Sequence, residues 1–268
     1  MKRIGILLFL LLALTYCSKK EENTSDNIQT LGADNYTVSF EHKDFEKKYG
    51  DCVNEENCVE VKIHYPQLLS GTEAIRQIND SIMSLLLNEE DEEMRYQSFD
   101  DIADTLIAEY KSVQKEFEDY NIGWFIHKNF ELANIVKNYL SVRNEVIMYT
   151  GGANDYYNID LLVFNLNTGK QIEFEQLVRE DKLNNLLQLG EQEFKKLKGL
   201  SPDINIDKSG FWFVDDQFYF PFNYNLTDSG FVFFYNLYEI APRSEGYTEL
   251  FIPKDKIKPF LKNENLFD

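Results

Sequence analysis

The stretch Trp124-Phe-Ile-His-Lys-Asn-Phe-Glu-Leu-Ala-Asn-Ile-Val-Lys-Asn-Tyr-Leu-Ser-Val-Arg-Asn-Glu-Val-Ile-Met-Tyr-Thr-Gly-Gly-Ala-Asn-Asp-Tyr-Tyr-Asn-Ile-Asp-Leu-Leu-Val-Phe-Asn-Leu166 decides the fold. Three long runs rich in β-branched, aromatic and aliphatic residues, 124–135, 138–150 and 156–166, are parted by Lys137-Asn138 and Gly151-Gly152. Such runs place successive side chains on opposite faces of a strand, and the turn-forming residues mark where the chain reverses. The segment reads as an antiparallel meander.

Upstream, Val38 and Phe40 alternate, and Val59, Val61, Ile63 and Tyr65 alternate before Pro66, which gives two half-buried strands. Ile75, Ile78, Ile82, Leu85 and Leu86 then follow the helical period. So do Phe99, Ile102, Leu106, Tyr110, Val113, Phe117 and Tyr120, opened by Ser98 as a cap ahead of Asp100 and Asp101. Downstream, Asn167-Thr168-Gly169-Lys170 is a turn, and Leu183, Leu186, Leu187, Phe194 and Leu197 mark another helix. The aromatic section from Phe211 to Tyr238, broken by turns at Asp215-Asp216 and Asp228-Ser229-Gly230, is expected to form strands, with Phe218, Phe220, Phe222 and Tyr224 on one face and Phe231, Phe233 and Tyr235 on another. A strand over 247–252 and a short helix over 254–261 close the chain. Strands and helices segregate rather than alternate, so the fold class is α+β: antiparallel β-sheets with helices packed on them, in two closely associated subdomains, 35–135 and 136–268.

The N-terminus carries an address. Lys2 and Arg3 precede an unbroken apolar run from Ile4 to Leu14, and the run ends at Leu14-Thr15-Tyr16-Cys17. It is too short for the ~20 residues of a spanning helix, so residues 1–17 read as a lipoprotein signal peptide, with Cys17 as the lipid attachment point. Polar, aperiodic residues 18–34 read as a flexible tether. Lys20-Glu21-Glu22 resembles the tag that sends some Gram-negative lipoproteins to the outer face of the outer membrane; the periplasmic face is the alternative. Loss of Lys2 and Arg3 with the leader leaves 25 basic against 46 acidic residues, a net charge of −21. Such a surface repels nucleic acid and attracts basic proteins, although acidity alone also serves solubility.

Cys52 and Cys58 bracket five polar residues, a spacing suited to a small disulfide loop in an oxidising compartment and poor for zinc. His42, His64 and His127 are the only histidines, and no His-Glu-x-x-His or His-x-x-x-His pair exists; neither a metal nor a cofactor is expected. No Gly-x-Ser-x-Gly elbow or Gly-rich phosphate loop is present. Asp203, Asn205 and Asp207 alternate like calcium ligands, yet Lys208 and Val214 stand where that loop needs Gly and Glu, so a turn is expected. The aromatic section reads as core rather than as a sugar platform, because Phe dominates it. Tyr156, Tyr157 and Tyr219, beside Asp or Asn residues, are the candidates for exposed stacking.

Three segments together carry a resemblance. Tyr149-Thr150-Gly151-Gly152-Ala153, then Asn158-Ile159-Asp160-Leu161 with Asn167-Thr168-Gly169-Lys170-Gln171-Ile172, and finally Tyr238-Glu239-Ile240-Ala241-Pro242 with Gly246 resemble the uncharacterised extracytoplasmic domain of RsiV, the lysozyme-sensing anti-sigma factor. Val61-Lys62-Ile63-His64-Tyr65-Pro66 and the Ile75–Leu86 helix are similar to the companion domain found there and in PdaC-type peptidoglycan deacetylases. The likeness covers roughly residues 36–262. That family carries His-Gly where this chain has Asn154-Asp155, so no role of that His is carried over. Glu239, acidic in a largely apolar segment, is either a ligand-contacting carboxylate or a group compensated by Arg243 or by a turn. Asn154, Asp155, Tyr156, Tyr157, Tyr219, Tyr238 and Glu239 are thus the candidate binding residues.

The reading is a non-catalytic, lipid-anchored envelope protein that binds a cell-wall glycan or a protein such as lysozyme, the partner the resemblance implies. With only Met1–Arg3 ahead of the apolar run, a cytoplasmic sigma-binding segment is not expected. The alternative is a carboxylate-dependent enzyme acting on peptidoglycan or another envelope polysaccharide.

Overall fold

A computed structural model describes residues 28–33, 36–53, 57–88 and 96–268. The leader, Cys17 and residues 18–27 of the expected tether lie outside the described residues. Six strands form one sheet in sequence order: β1 (Gln29–Ala33), β2 (Tyr36–Tyr49), β3 (Val59–Leu68), β4 (Trp124–Val136), β5 (Tyr139–Tyr149) and β6 (Tyr156–Asn165). Neighbours are antiparallel except β3 and β4, which run parallel. A parallel pair needs a crossover, and α1 (Glu73–Leu87) with α2 (Phe99–Glu116) supplies it. β1 falls within the stretch read as tether; Leu31 and Ala33 alternate there and pack against the core, which gives that short strand its anchor.

Both helices begin at hydroxyl caps, Ser98 as expected: its hydroxyl accepts the Asp101 N–H (3.1 Å), and at α1 the Thr72 hydroxyl accepts the Ile75 N–H (3.3 Å). Ile75, Ile78, Ile82 and Leu86 of α1 and Ile102, Leu106 and Tyr110 of α2 are buried, with Val59, Val61, Ile63, Ile126, Phe130 and Val142 among their neighbours in the sheet core. Each such aliphatic side chain contributes about 1.5–3 kcal/mol on removal from water. α2 stops at Glu116, one turn short of the periodicity. Tyr120 lies beyond it, where its hydroxyl accepts the Trp124 indole N–H at 2.7 Å. Gly151, at φ 82°, leads out of β5, and a Cβ there would collide with that hydroxyl, so both its conformation and its contact demand glycine.

The second sheet, β7 (Tyr224–Thr227), β8 (Gly230–Tyr235) and β9 (Thr248–Pro253), is antiparallel and packs with α3 (Phe174–Leu177), α4 (Leu183–Leu197) and α5 (Lys254–Ile257) around a second core. Here one expectation fails. The turn expected at Asp215-Asp216 is present, a 3-10 turn in which both residues adopt left-handed φ of 53° and 56°, but the residues on either side of it, 211–213 and 217–223, form no strand. Phe218 and Phe220 are nevertheless buried, lying over Gly190 of α4, whereas Phe222 is 82% exposed. Tyr224, Phe231, Phe233 and Tyr235 complete an aromatic core, as expected from the predominance of Phe. The closing helix is also shorter than its pattern, passing into a 3-10 turn at Pro259, which lacks the N–H that would continue it.

The six-stranded sheet is the wall between the two cores. Even-numbered side chains face the helices in β5, β6 and β4 up to Leu132; past the register shift between Leu132 and Asn134 the alternation reverses, so Ile135 joins the helix-side core while Val136, like Val163 of β6, faces the C-terminal core. The boundary expected at 135/136 lies at the end of β4, inside the β4–β5 hairpin of this continuous sheet. Ser141 ties the layers together: its hydroxyl donates to the Leu226 carbonyl (2.8 Å) and accepts the Leu226 N–H (3.0 Å). No described helix is long and apolar enough to cross a membrane.

Candidate functional site

The outer edge of β6 would present unpaired backbone groups, and two asparagines occupy them. The Asn236 side chain accepts the Ile159 N–H and donates to the Ile159 carbonyl, both at 2.9 Å. Asn223 donates to the same carbonyl (2.6 Å) and accepts the Leu161 N–H. These clips press the 236–243 segment against the start of β6, and a cleft of about 300 Å³ opens between them.

Five of the seven candidate residues line that cleft: Asp155, Tyr156, Tyr157, Tyr238 and Glu239. Arg243 also lines it and donates to the Asp155 backbone carbonyl (2.9 Å) and, in an ion pair, to the Asp155 carboxylate. Glu239 therefore does not take Arg243 as its partner. Its carboxylate accepts the Asn236 N–H at 2.8 Å, while the Glu239 N–H donates to the Asn236 carbonyl at 3.2 Å, closing a reciprocal turn. Burial pushes the Glu239 carboxyl above the usual range against the opposing pull of the Asn236 N–H. Tyr238, the third residue of that turn, has φ 67° and is 56% exposed. A left-handed Tyr is held at a cost of roughly 1–3 kcal/mol, and such strain gathers at ligand sites.

The other two candidates lie apart from the cleft lining. Asn154 is exposed on the approach to β6. Tyr219 is half-buried, with its ring against Phe213 and Tyr235 and its own carbonyl accepting the Tyr235 hydroxyl at 2.6 Å. Burial and the nearby Glu239 push its phenol up to about 12. It packs as core rather than as an exposed platform.

A larger cavity, about 480 Å³, adjoins the cleft on the helix side of the sheet and shares Tyr156 and Asn158 with it. Its floor runs over three rungs of the ladder, through Asn144–Asp160, Lys128–Val146–Asn158 and Ile126–Met148–Tyr156. The Asn144 and Asn158 amides donate to the two oxygens of Asp160 at 2.9 and 2.8 Å. Lys128, buried, donates to the Leu86 carbonyl at the end of α1 (2.8 Å). Sequence reasoning did not single out Lys128 and Asn144 as site residues. Their signal was there: both are polar at the even positions of strands whose even positions are otherwise largely apolar.

The three histidines fall on the opposite face of the sheet. His42 stacks on His64 (4.5 Å between ring centres), His64 meets Asp44 at 2.6 Å, and His127 meets Glu60 at 2.9 Å. Among the described residues no group of three His, Cys, Asp or Glu is placed to hold a metal. The Asp203 segment forms a 3-10 turn at Ile206–Lys208. Cys52 and Cys58 are joined in a disulfide, Cα–Cα 4.7 Å.

With this geometry in hand, the chain can be placed among known proteins. Residues 52–157 match the family described as Deacetylase PdaC, and residues 175–255 match a protein family of unknown function, DUF3298. The protein thus carries PdaC-type and DUF3298 segments in sequence. Two crystal structures of DUF3298 family proteins share its fold. One, from Pseudomonas aeruginosa PAO1, is 18% identical with a TM-score of 0.61, the match covering 86% of this chain and 96% of that one. The other, from Bacteroides fragilis NCTC 9343, is 17% identical with a TM-score of 0.64, covering 89% and 98%. No curated protein matches the chain in sequence.

Proposed function

We propose that this is a lipid-anchored protein of the bacterial cell envelope, at the outer membrane, whose folded part binds a cell-wall glycan in the β6 cleft without transforming it. One observation carries the reading: residues from the β5–β6 connection and from the 236–243 segment, distant in sequence, converge on a single cleft whose rim Tyr is held in a left-handed conformation. Phenol rings and carboxylates are the groups that stack on sugar rings and accept their hydroxyls. Lysozyme is the protein partner this reading admits, drawn electrostatically by the acidic surface.

The test is titration of the purified protein with soluble peptidoglycan fragments and with lysozyme, at low and raised salt. Glycan binding is expected, weakened at least tenfold in Tyr238→Ala. Lysozyme binding is expected to fall with salt. Absence of both at low ionic strength overturns the proposal. A second reading has one observation behind it. Asp155, ion-paired with Arg243, and Glu239, whose carboxyl burial raises, line the same cleft, and two carboxyl groups facing one cleft are the arrangement used in glycoside hydrolysis. Release of reducing ends from peptidoglycan by the wild type and not by Glu239→Gln would favour it.

A further inference from the structure

We propose that the 480 Å³ cavity under the C-terminal end of α1, beside the cleft, is a second ligand site, for a neutral, mainly aliphatic molecule bearing one hydroxyl or N–H donor. Its size falls within the range of small-molecule pockets. Its walls are aliphatic, from Leu85, Ile126, Val146, Met148 and Leu162. Among the described residues, Tyr156 is the one aromatic residue of the lining, so those walls offer little stacking surface to a sugar ring.

The polar floor supplies the selectivity. Asn144 is 2% exposed, and its amide N–H is committed to Asp160 while its Oδ1 has no hydrogen-bond partner. A buried acceptor left unsatisfied is uncommon, and its desolvation is recovered only when a donor arrives. Asp160, next to it, accepts amides on both oxygens and keeps lone pairs to spare. The floor therefore asks for a donor and offers an anion little. Lys128 and Asp160 contribute opposite charges to the same cavity, so a neutral ligand leaves that balance undisturbed, whereas a carboxylate would sit against Asp160. An aliphatic body along the walls with a hydroxyl or amide N–H at Asn144 and Asp160 satisfies every surface.

The experiment uses the full purified chain, methyl-labelled, with 1-octanol as the probe and octanoate at pH 7 as its donor-free counterpart. Octanol is expected to shift the methyl resonances of Ile126, Val146, Met148 and Leu162, and octanoate to bind at least tenfold more weakly. Asn144→Leu, near-isosteric but without the acceptor, is expected to weaken octanol binding about tenfold, and Val146→Phe, which fills the cavity, to abolish it. Val146→Phe keeps the test decisive if Asn144→Leu fails to fold. Equal binding of octanol and octanoate, undiminished binding in either folded variant, or octanol shifts scattered outside the cavity would overturn the proposal.

Discussion

Glu60 offers the sharpest test of how charge holds the open face of the sheet together. Its carboxylate lies 2.7 Å from Lys62 Nζ, 3.1 Å from Lys48 Nζ and 2.9 Å from His127 Nε2, with its side chain 16% exposed. Burial alone would raise its pKa, but hydrogen bonds from Lys62, Lys48 and His127 outweigh it and hold the group down from the usual 4.5 to about 2. Each tenfold difference in proton affinity between folded and unfolded chain is worth about 1.4 kcal/mol, so the gap corresponds to about 3 kcal/mol at most. Lys48 and Lys62 are more than 40% exposed, and solvent screening reduces the expectation to about 2 kcal/mol. The folded-state value lies below the unfolded one, so the stabilisation is complete above about pH 4.5 and is lost as pH falls towards 2. Glu60→Gln should therefore lower the urea-unfolding free energy by about 2 kcal/mol at pH 7, and the gap between variant and wild type should close near pH 2. A gap that stays constant with pH, or one below about 0.5 kcal/mol at pH 7, would refute the electrostatic account.

The remaining predictions concern the scaffold of the site. Reducing the Cys52–Cys58 bond, or replacing both residues by Ser, should cost about 2 kcal/mol on the chain-entropy estimate for so short a loop, read as a lower denaturant midpoint that reductant no longer shifts in the double variant. Asn236→Ala should strand the Ile159 N–H and remove one of the two donors to its carbonyl, costing about 1–3 kcal/mol. Amide exchange should accelerate at Ile159 well beyond any change in β3; an unchanged Ile159 rate would mean that water replaces the clip.

Much of the architecture follows from local pattern. Alternation in Val59–Tyr65 and in the meander, the period of Ile75–Leu86 and the Ser98 cap each specify an element by side-chain geometry alone, and packing reinforces them. The failures have a common cause. Residues 211–223 alternate like a strand, yet Phe218 and Phe220 are buried by meeting Gly190 on a helix remote in sequence, so burial arises there without a ladder. The candidate site was legible where residues are odd for their surroundings: Glu239 in an apolar segment, Asp155 after the glycines. Its assembly was not, because the choice of Asp155 rather than Glu239 as the partner of Arg243, and the left-handed backbone of Tyr238, are settled by the tertiary approach of two segments about eighty residues apart.

β6 explains why that approach matters. The PdaC match ends at residue 157 and the DUF3298 match begins at 175, so most of β6, Tyr156–Asn165, lies between the two. Yet β6 completes the first sheet through β5 and receives the second through Asn223 and Asn236. Its even face floors the larger cavity and its first residues form the cleft. An edge strand free of partners invites aggregation, and the asparagine clips remove that hazard while fixing the 236–243 segment at the spacing the cleft requires. One set of side-chain to backbone hydrogen bonds thus serves stability and site geometry together. Loosening β6 is therefore expected to disturb both cavities before it unfolds either core.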